Sequence, residues 1–171
     1  MAQAEPSRLL RRGGIVQRVL ERLLVDRKAD PMSISNREVA LAWFEQVWNA
    51  GDEAQIDRLM APGARFHGLP SADAEPIVGP AAFKPLFRAF RQAFPDMRIE
   101  LLHIACEGRF VATHCLVTGS HTGSGPGPEV LATGRTIKFV GMAFAAIENG
   151  QIQEGWNCFD FTSMNQQLGL I

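Results

Sequence analysis

The chain has 171 residues, 46% of them hydrophobic, and a formal net charge of −1. This length suits one globular domain that buries a core and can enclose a pocket. The near-neutral charge gives no electrostatic basis for binding nucleic acid, and no apolar run approaches the ~20 residues that span a bilayer. The three cysteines lack the spacing of a disulfide framework, and the N-terminal sequence lacks an apolar signal-peptide core. We therefore expect a cytoplasmic protein.

Residues 1–34 are predicted to form an N-terminal extension, separate from a domain over residues 35–171. The apolar residues of this extension recur at helical spacing: Val16, Val19, Leu20, Leu23 and Leu24. Arginines and a lysine occupy its other faces, which predicts a basic amphipathic helix. Such a helix docks on a membrane surface or a partner, or it packs on the domain or on a second subunit. Of these alternatives we favour packing.

The first predicted helix of the domain begins at Ser35. Ser35 and Glu38 form a capping-box motif, in which each side chain accepts a hydrogen bond from a free backbone N–H at the helix start. Apolar residues then recur at helical spacing as far as Gly51, a residue typical of helix ends. The sequence therefore predicts one continuous helix up to this glycine.

A second short helix is predicted after Asp52, with Met60 on its inner face. The sequence ARFHGL, residues 64–69, is typical of a short strand, and the following PSADAEPIVGP is a loop by composition. Gly79–Pro80 predicts the start of a third helix, because proline is favoured at the first helical position. The phenylalanines of this helix recur at steps of four, three and four and predict a face that packs on a sheet: Phe83, Phe87, Phe90 and Phe94.

After Asp96 the apolar period changes from helical to alternating. Four runs rich in Val, Ile, Phe and Thr predict strands over residues 97–105, 109–121, 133–148 and 151–161. Glu107–Gly108 and Asn149–Gly150 are predicted as two-residue hairpin turns. Helices followed by an antiparallel meander indicate an α+β fold, with helices on one face of a curved sheet.

Turn positions set the register of the last hairpin. With Asn149–Gly150 as the turn, Ile147 pairs with Ile152, and one face of the last strand lies opposite mostly small residues. That face carries Glu154, Trp156, Cys158 and Asp160, opposite Ala145, Ala143, Gly141 and Phe139 in the same order. Small residues opposite a tryptophan leave room that close packing normally fills, which predicts a ligand-sized hollow on this face. Alternatively the other face is the core side, and any β-bulge would exchange the two faces.

The same reasoning on Glu107–Gly108 pairs His103 with Ala112 and His114 with Leu101, so both histidines share a face with apolar residues. Two imidazoles beside an apolar hollow can relay protons or bind substrate oxygens. Alternatively, each is a buried histidine bonded to a backbone carbonyl. No cluster of His, Asp and Glu has the spacing of metal ligands, so no metal site is predicted.

Two segments resemble a known family. NREVALAWFEQVWNAGDEAQIDRLMAPGARFHG and GQIQEGWNCFDFTSMNQQLGL are similar to segments of the SnoaL-like polyketide cyclases of the NTF2-like superfamily, and the order of elements agrees. The resemblance covers roughly residues 35–171. It implies a cone in which N-terminal helices pack on a curved antiparallel sheet and enclose a mostly apolar pocket. It also implies cofactor-free chemistry, such as intramolecular aldol ring closure, with an aspartate on the last strands as acid/base.

The last strand carries the most specific part of this resemblance. In relatives it commonly reads Ile, Glu, Trp and then an Asp four residues after the Trp, which matches Ile152, Glu154, Trp156 and Asp160. Some relatives also carry a histidine and an aspartate on either side of the tryptophan, where this chain has Gly155 and Asn157. If the working carboxylate of the family stands at position 157, an amide replaces it here and the cyclase interpretation fails.

A carboxylate in an apolar pocket has a raised pKa, which suits it to accept and return a proton. A nearby imidazole can donate a hydrogen bond to the developing enolate oxygen. We therefore predict Asp160 and His114 as catalytic residues. The predicted substrate-binding residues are Trp156, Glu154, Asn157, His103, His67, Trp43 and Phe139.

The predicted function is cyclase-type acid/base chemistry on a hydrophobic, carbonyl-containing, polyketide-like small molecule, without a cofactor. The main alternative is a module that binds a hydrophobic small molecule without turnover. A weaker alternative is an epoxide hydrolase-like enzyme, which requires Arg98 or Arg135 to point inward. If the apolar set of Val140, Met142, Phe144, Phe159 and Phe161 faces outward, we expect a homodimer or higher homo-oligomer joined sheet to sheet.

Overall fold

The computed structural model describes residues 35–70, 75–126 and 130–171. The predicted N-terminal helix therefore lies outside the described residues. The described helices are α1 (Asn36–Ala42), a π-helix π1 (Trp43–Asn49), α2 (Ala54–Leu59), α3 (Gly79–Ala93) and α4 (Phe161–Leu168). None of these helices is long and apolar enough to cross a bilayer. The strands are β1 (Met60–His67), β2 (Ile77–Val78), β3 (Arg98–Glu107), β4 (Phe110–Ser120), β5 (Thr136–Glu148) and β6 (Gln151–Phe159).

The predicted first helix has a regular start and an irregular second half. Both hydrogen bonds of the capping box are formed, and the Glu38 carboxylate accepts from the backbone N–H and the hydroxyl of Ser35 at 2.8 Å each. From Trp43 onward the helix widens into π1. Its backbone N–H groups donate to the carbonyl five residues earlier instead of four, as Ala50 N–H does to Glu45 O. The widening brings Trp48 to the same side as Trp43.

The other predicted helices differ from expectation at one boundary. Asp52 accepts from the Ala54 backbone N–H at 3.1 Å and starts α2 as predicted, but Met60 is the first residue of β1. Pro80 stands in the first turn of α3, as predicted. The phenylalanine stripe that follows it is buried. The helical period therefore identified the packing face of α3 correctly.

The six described strands form one curved, open sheet in the order β2-β1-β6-β5-β4-β3. β3, β4, β5 and β6 pair in succession as an antiparallel meander, as predicted. The sheet is mixed, because β1 runs parallel to β6. α1, π1 and α3 cover one face, which we call the inner face. We call the opposite side the outer face.

The register of the last hairpin differs from the prediction after its first two pairs. Asn149 and Gly150 form the turn with φ of 52° and 75°, and Ile147 pairs with Ile152. The register then shifts, and Ala146 pairs with Glu154. One extra residue in β6 moves every later side chain to the other face, because the side-chain period of a strand is two. The predicted pairing of Ala143 with Trp156 is therefore wrong.

The hairpin of β3 and β4 is also displaced. Glu107 pairs with Phe110, so the turn residues are Gly108 and Arg109 instead of Glu107 and Gly108. His103 consequently pairs with His114, instead of with Ala112. A second register shift lies between Leu101 and His103. The two histidines still share one face of the sheet, as predicted, but it is the outer face.

Candidate functional site

A cavity lies between the helices and the inner face of the sheet. The cavity has a volume of about 80 Å³. One water molecule needs about 10–15 Å³ on the same scale. α1, π1 and α3 supply Ala40, Trp43, Phe44, Trp48, Phe83, Leu86 and Phe90 to its wall. The sheet and α4 supply, among others, Phe66, Thr113, Phe139, Ala143, Ala145, Gly155, Asn157, Phe159 and Phe161.

Small residues on β5 and β6 keep the cavity open. Ala143 and Ala145 face inward on β5, and Gly155 pairs with Ala145 on β6. A side chain at position 155 would press on the ring of Phe66, since an added Cβ would lie 3.1 Å from it. The predicted hollow beside small β5 residues is therefore present, but a different set of β6 residues faces it.

Aromatic rings form the helical side of the cavity. Trp43 lies 5.6 Å from Phe66 and 5.2 Å from Phe83, measured between ring centroids. Trp48 packs edge-on against Phe83 at 5.9 Å. Rings at these separations pack stably and present flat, apolar surface. The wall is thus suited to contact a flat or chain-like apolar molecule.

Thr113 and Asn157 provide hydrogen-bonding side chains on the sheet side of the cavity. Thr113 on β4 and Asn157 on β6 both pair with Ala143, so the three residues form one row across the inner face. The Thr113 hydroxyl donates to the Ala143 carbonyl at 3.2 Å. Because alanine is short, the two polar groups stand on either side of open space.

The amide of Asn157 is held in one orientation. Its Nδ2 donates to the backbone carbonyl of His67 at 2.9 Å. The reverse orientation would place two acceptor oxygens against each other, so the Nδ2 group must face this carbonyl. No described residue donates a hydrogen bond to Asn157 Oδ1. The side chain therefore brings a free acceptor to the cavity wall.

No ionisable side chain occurs among the described residues that line the cavity. Cys115, which faces the core next to Thr113 along β4, is fully buried, and burial raises the pKa of its thiol. That thiol is consequently neutral at physiological pH. Nor does the described part of the chain contain a group of three or more His, Cys, Asp or Glu arranged to hold a metal.

Five of the predicted site residues lie on the outer face. His103 and His114 stack there, with their Nδ1 atoms 3.2 Å apart. Trp156 pairs with Phe144 on the same face, and its side chain is 37% exposed. The prediction that Trp156 is the apolar platform of the cavity is therefore corrected: the register shift turns it outward.

His67 and Glu154 complete the outward-facing set. His67 Nε2 lies 2.8 Å from Glu154 Oε1, and the imidazole stacks on the Trp156 indole at 5.7 Å between centroids. Both side chains are about one-third exposed. The pair bridges β1 and β6 on the outer side of the sheet, so neither group reaches the cavity.

Asp160 also lies outside the cavity. The Ser163 backbone N–H donates to its Oδ1 at 2.9 Å, so Asp160 caps the N-terminus of α4. Its side chain is exposed. The predicted position on the cavity wall is corrected by this geometry. Asn157, Trp43 and Phe139 are the predicted site residues that do line the cavity.

The two arginines required for an epoxide hydrolase-like network are exposed. Neither Arg98 nor Arg135 lines the cavity. Arg135 donates to the Gln167 carbonyl at 3.4 Å, near the end of α4. The arrangement of arginine between two carboxylates that this chemistry needs is not formed around the cavity by the described residues.

Comparison with known proteins gives the family. Residues 38–168 match the SnoaL-like polyketide cyclase family, and the chain belongs to it. The cavity between helices and an open curved sheet agrees with the NTF2-like fold of that family. No curated protein matches the chain.

Solved structures support the same fold. A candidate SnoaL-like polyketide cyclase from Jannaschia sp. CCS1 superposes with a TM-score of 0.71 at 20% identity, over 85% of this chain and 99% of the other. IdmH, a candidate polyketide cyclase from Streptomyces antibioticus, gives 0.68 at 26% identity, over 80% and 99%. AclR, a candidate hydroxylase from Streptomyces galilaeus, gives 0.68 at 23% identity, over 80% and 96%.

Sequence reasoning missed Thr113, Trp48, Gly155 and Phe159 as cavity residues. Every second residue of β4 faces inward, and Thr113 is a polar residue at one of these buried positions. A polar residue among buried strand positions is a signal that could have identified it. Gly155 interrupts a strand, which marks a bulge or a close approach of another group. Trp48 carried no such signal, because it faces the cavity only through the π-helical widening.

Proposed function

We propose that the protein binds an apolar small molecule in the cavity and holds it without acid/base turnover at the sheet wall. The lining is aromatic and aliphatic except for Thr113 and Asn157. Sites for small molecules typically combine such a lining with a few placed polar groups. An apolar cavity of this kind holds water poorly, so an apolar ligand gains most from filling it.

The main support for this proposal is that an amide, Asn157, stands on the cavity wall. The inward-facing positions of β6 on either side of Trp156 are Gly155 and Asn157. Some of the relatives that this chain resembles carry a histidine and an aspartate at these positions. A primary amide accepts and donates hydrogen bonds but does not exchange a proton at neutral pH. The wall thus retains a recognition group and lacks a base.

Family membership favours a second candidate function, the cofactor-free ring closure of a carbonyl-containing polyketide-like molecule. This function requires a group that removes a proton from carbon. Asp160 and His114, which the resemblance and the histidine pairing suggested, would have to reach the ligand from outside the cavity wall. An exposed carboxylate also lacks the desolvation that raises the pKa of a working base.

A filled cavity tests the binding function. In Ala143→Leu the larger side chain would occupy the space between Thr113 and Asn157. Ala112→Leu adds the same atoms on the outer face of β4 and serves as the matched control. Native mass spectrometry of the purified wild type should detect a bound hydrophobic molecule, which Ala143→Leu loses and Ala112→Leu keeps. Equal ligand content in both variants would overturn the proposal.

Incubation with the recovered ligand separates the two candidate functions. The binding function predicts that the molecule is returned unchanged in mass and structure. Turnover predicts a product of altered ring structure, whose formation depends on a titratable residue. Product formation that is lost in Asp160→Asn but kept in Asp160→Glu would favour the cyclase.

We also propose that two copies pair through the outer face as a homodimer. Val140, Met142 and Phe144 are 47%, 60% and 42% exposed there, although Phe159 and Phe161 of the predicted apolar set face the cavity instead. With Trp156 beside Phe144 at 5.8 Å, these side chains form one connected apolar surface. Apolar patches of this kind are commonly covered by a partner.

A further inference from the structure

We propose that Asn157 makes the cavity selective for neutral apolar molecules that carry a hydrogen-bond donor, such as an alcohol or a phenol. This inference rests on the proposed binding function and names the ligand class of the same cavity. The side-chain amide of Asn157 is held in one orientation. One N–H of the amide donates to the protein, and its oxygen, to which no described residue donates, is left for the ligand.

The hydrogen bond from Asn157 Nδ2 follows from the topology. β1 runs parallel to β6, and His67, the last residue of β1, pairs with Trp156. Its carbonyl thus lies beside Asn157 and accepts from Nδ2 at 2.9 Å. The chain then passes against β6 so closely that a Cβ at Gly68 would lie 2.0 Å from the backbone carbonyl oxygen of Asn157. This close approach of the two backbones keeps the His67 carbonyl within reach of the Asn157 side chain.

Thr113, the other polar side chain on the sheet side of the cavity, also offers a hydrogen-bond acceptor. Thr113 uses its hydroxyl proton on the Ala143 carbonyl at 3.2 Å, so its remaining capacity is that of an acceptor. Asn157 Oδ1 and Thr113 Oγ1 therefore present lone pairs from both sides of Ala143. A ligand satisfies them only if it brings an O–H or N–H group.

Ligands without a donor are disfavoured for a physical reason. They would seal Asn157 Oδ1 from water without replacing its hydrogen bond, and an unsatisfied buried acceptor is costly. A carboxylate ligand would in addition bring negative charge against these lone pairs and into an apolar wall. An amide oxygen takes no proton from the ligand, so the bound hydroxyl remains neutral.

Three matched ligands test the inference on the full-length protein: propylbenzene, 4-propylphenol and 4-propylanisole. Affinities are measured by equilibrium dialysis at pH 7 and divided by the partition of each compound into octanol, which removes differences in hydrophobicity. We expect 4-propylphenol to bind about 10-fold more tightly than 4-propylanisole on this scale. In Asn157→Leu the preference should fall to about 2-fold or less.

The outcomes distinguish this inference from the proposed function. Equal normalised binding of the phenol and the anisole by the wild type would overturn the inference and leave the binding function intact. Failure of all three to bind would overturn the binding function itself. If Asn157→Leu does not fold, the wild-type ratio alone decides. Thr113→Val, which keeps the shape of the side chain, then reports whether the preference comes from the threonine instead.

Discussion

Gly141 on β5 pairs with Phe159 on β6, and the Phe159 ring lies directly over the glycine. A Cβ added at position 141 would lie 2.1 Å from Cδ1 of this ring and 2.6 Å from Cε1. Because Phe159 also lines the cavity, the absence of a side chain at one position sets where the ring stands in the site. Packing and binding are thus coupled at this pair.

Gly141→Ala should therefore destabilise the protein and change the cavity. The new methyl group must displace the Phe159 ring, and overpacking of this kind costs about 1–3 kcal/mol of the free energy of unfolding. Chemical denaturation measures this loss, and dialysis with an apolar ligand measures the change in affinity. Gly63→Ala on β1 is the matched control, because an added Cβ there meets nothing within 4 Å. A stability of Gly141→Ala equal to that of the control would contradict the prediction.

A capping role for Asp160 predicts a specific difference between two substitutions. Asp160→Ala removes the acceptor for the Ser163 N–H and should cost about 0.5–2 kcal/mol of the free energy of unfolding. Asp160→Asn keeps an oxygen at the cap and should cost far less. Neither should weaken ligand binding, since the side chain lies outside the cavity. A stable Asp160→Asn that has lost a measurable turnover would instead restore the acid/base role.

The starts of the helices and the meander of β3 to β6 were predictable because they rest on local signals. The capping box at Ser35, the proline of α3 and the Asn149–Gly150 turn each specify backbone geometry within a few residues. All three are present in the structure as predicted. Family membership was likewise accessible, since residues 38–168 carry the match.

The faces of the last strand were not predictable from the same signals. The shift after Ile147 inserts one residue into β6 between Ile152 and Glu154, and neither of these residues marks its position. Its effect is large because it exchanges inward and outward side chains along the rest of the strand. Trp156 and Asp160 consequently lost their predicted places, and Asn157 gained one. A shift of one residue in the pairing of β5 and β6 thus changed which side chains form the candidate site, but it did not change the fold.

Asp96 gives the protein a pH-dependent contribution to stability. Its carboxylate accepts from the Ser120 backbone N–H and hydroxyl at 2.7 Å each, and these hydrogen bonds lower the pKa of the carboxyl. A lowered folded-state pKa stabilises the protein above the ordinary aspartate pKa of about 4. This stabilisation is lost as the pH falls through the folded-state value.

The comparison of wild type with Asp96→Ala checks the sign of this effect. The difference in free energy of unfolding between them should be constant from pH 8 to pH 5 and should shrink steadily below about pH 4. Urea denaturation across this range gives the values. Asp57→Ala controls for the loss of an exposed carboxylate that is held by a lysine side chain at 2.7 Å instead of a backbone N–H. A difference that grows as the pH falls would contradict the assignment.

The outer face makes the last prediction, which concerns assembly. Met142 is the most exposed of its large apolar side chains and stands between His114 and Cys158 in one row across β4, β5 and β6. In a two-fold symmetric contact each substitution occurs twice, so Met142→Lys places two charges in the interface without partners.

We expect a dimer of wild type at micromolar concentration by light scattering and a monomer of Met142→Lys, with circular dichroism unchanged. Leu131→Lys changes a side chain that is 79% exposed outside the sheet and should leave the dimer intact. A wild type that is monomeric, or a Met142→Lys that remains dimeric, would mean that this face is covered in another way. Ligand binding should survive in the monomer, because the cavity lies on the inner face of the sheet and Met142 lies on the outer face.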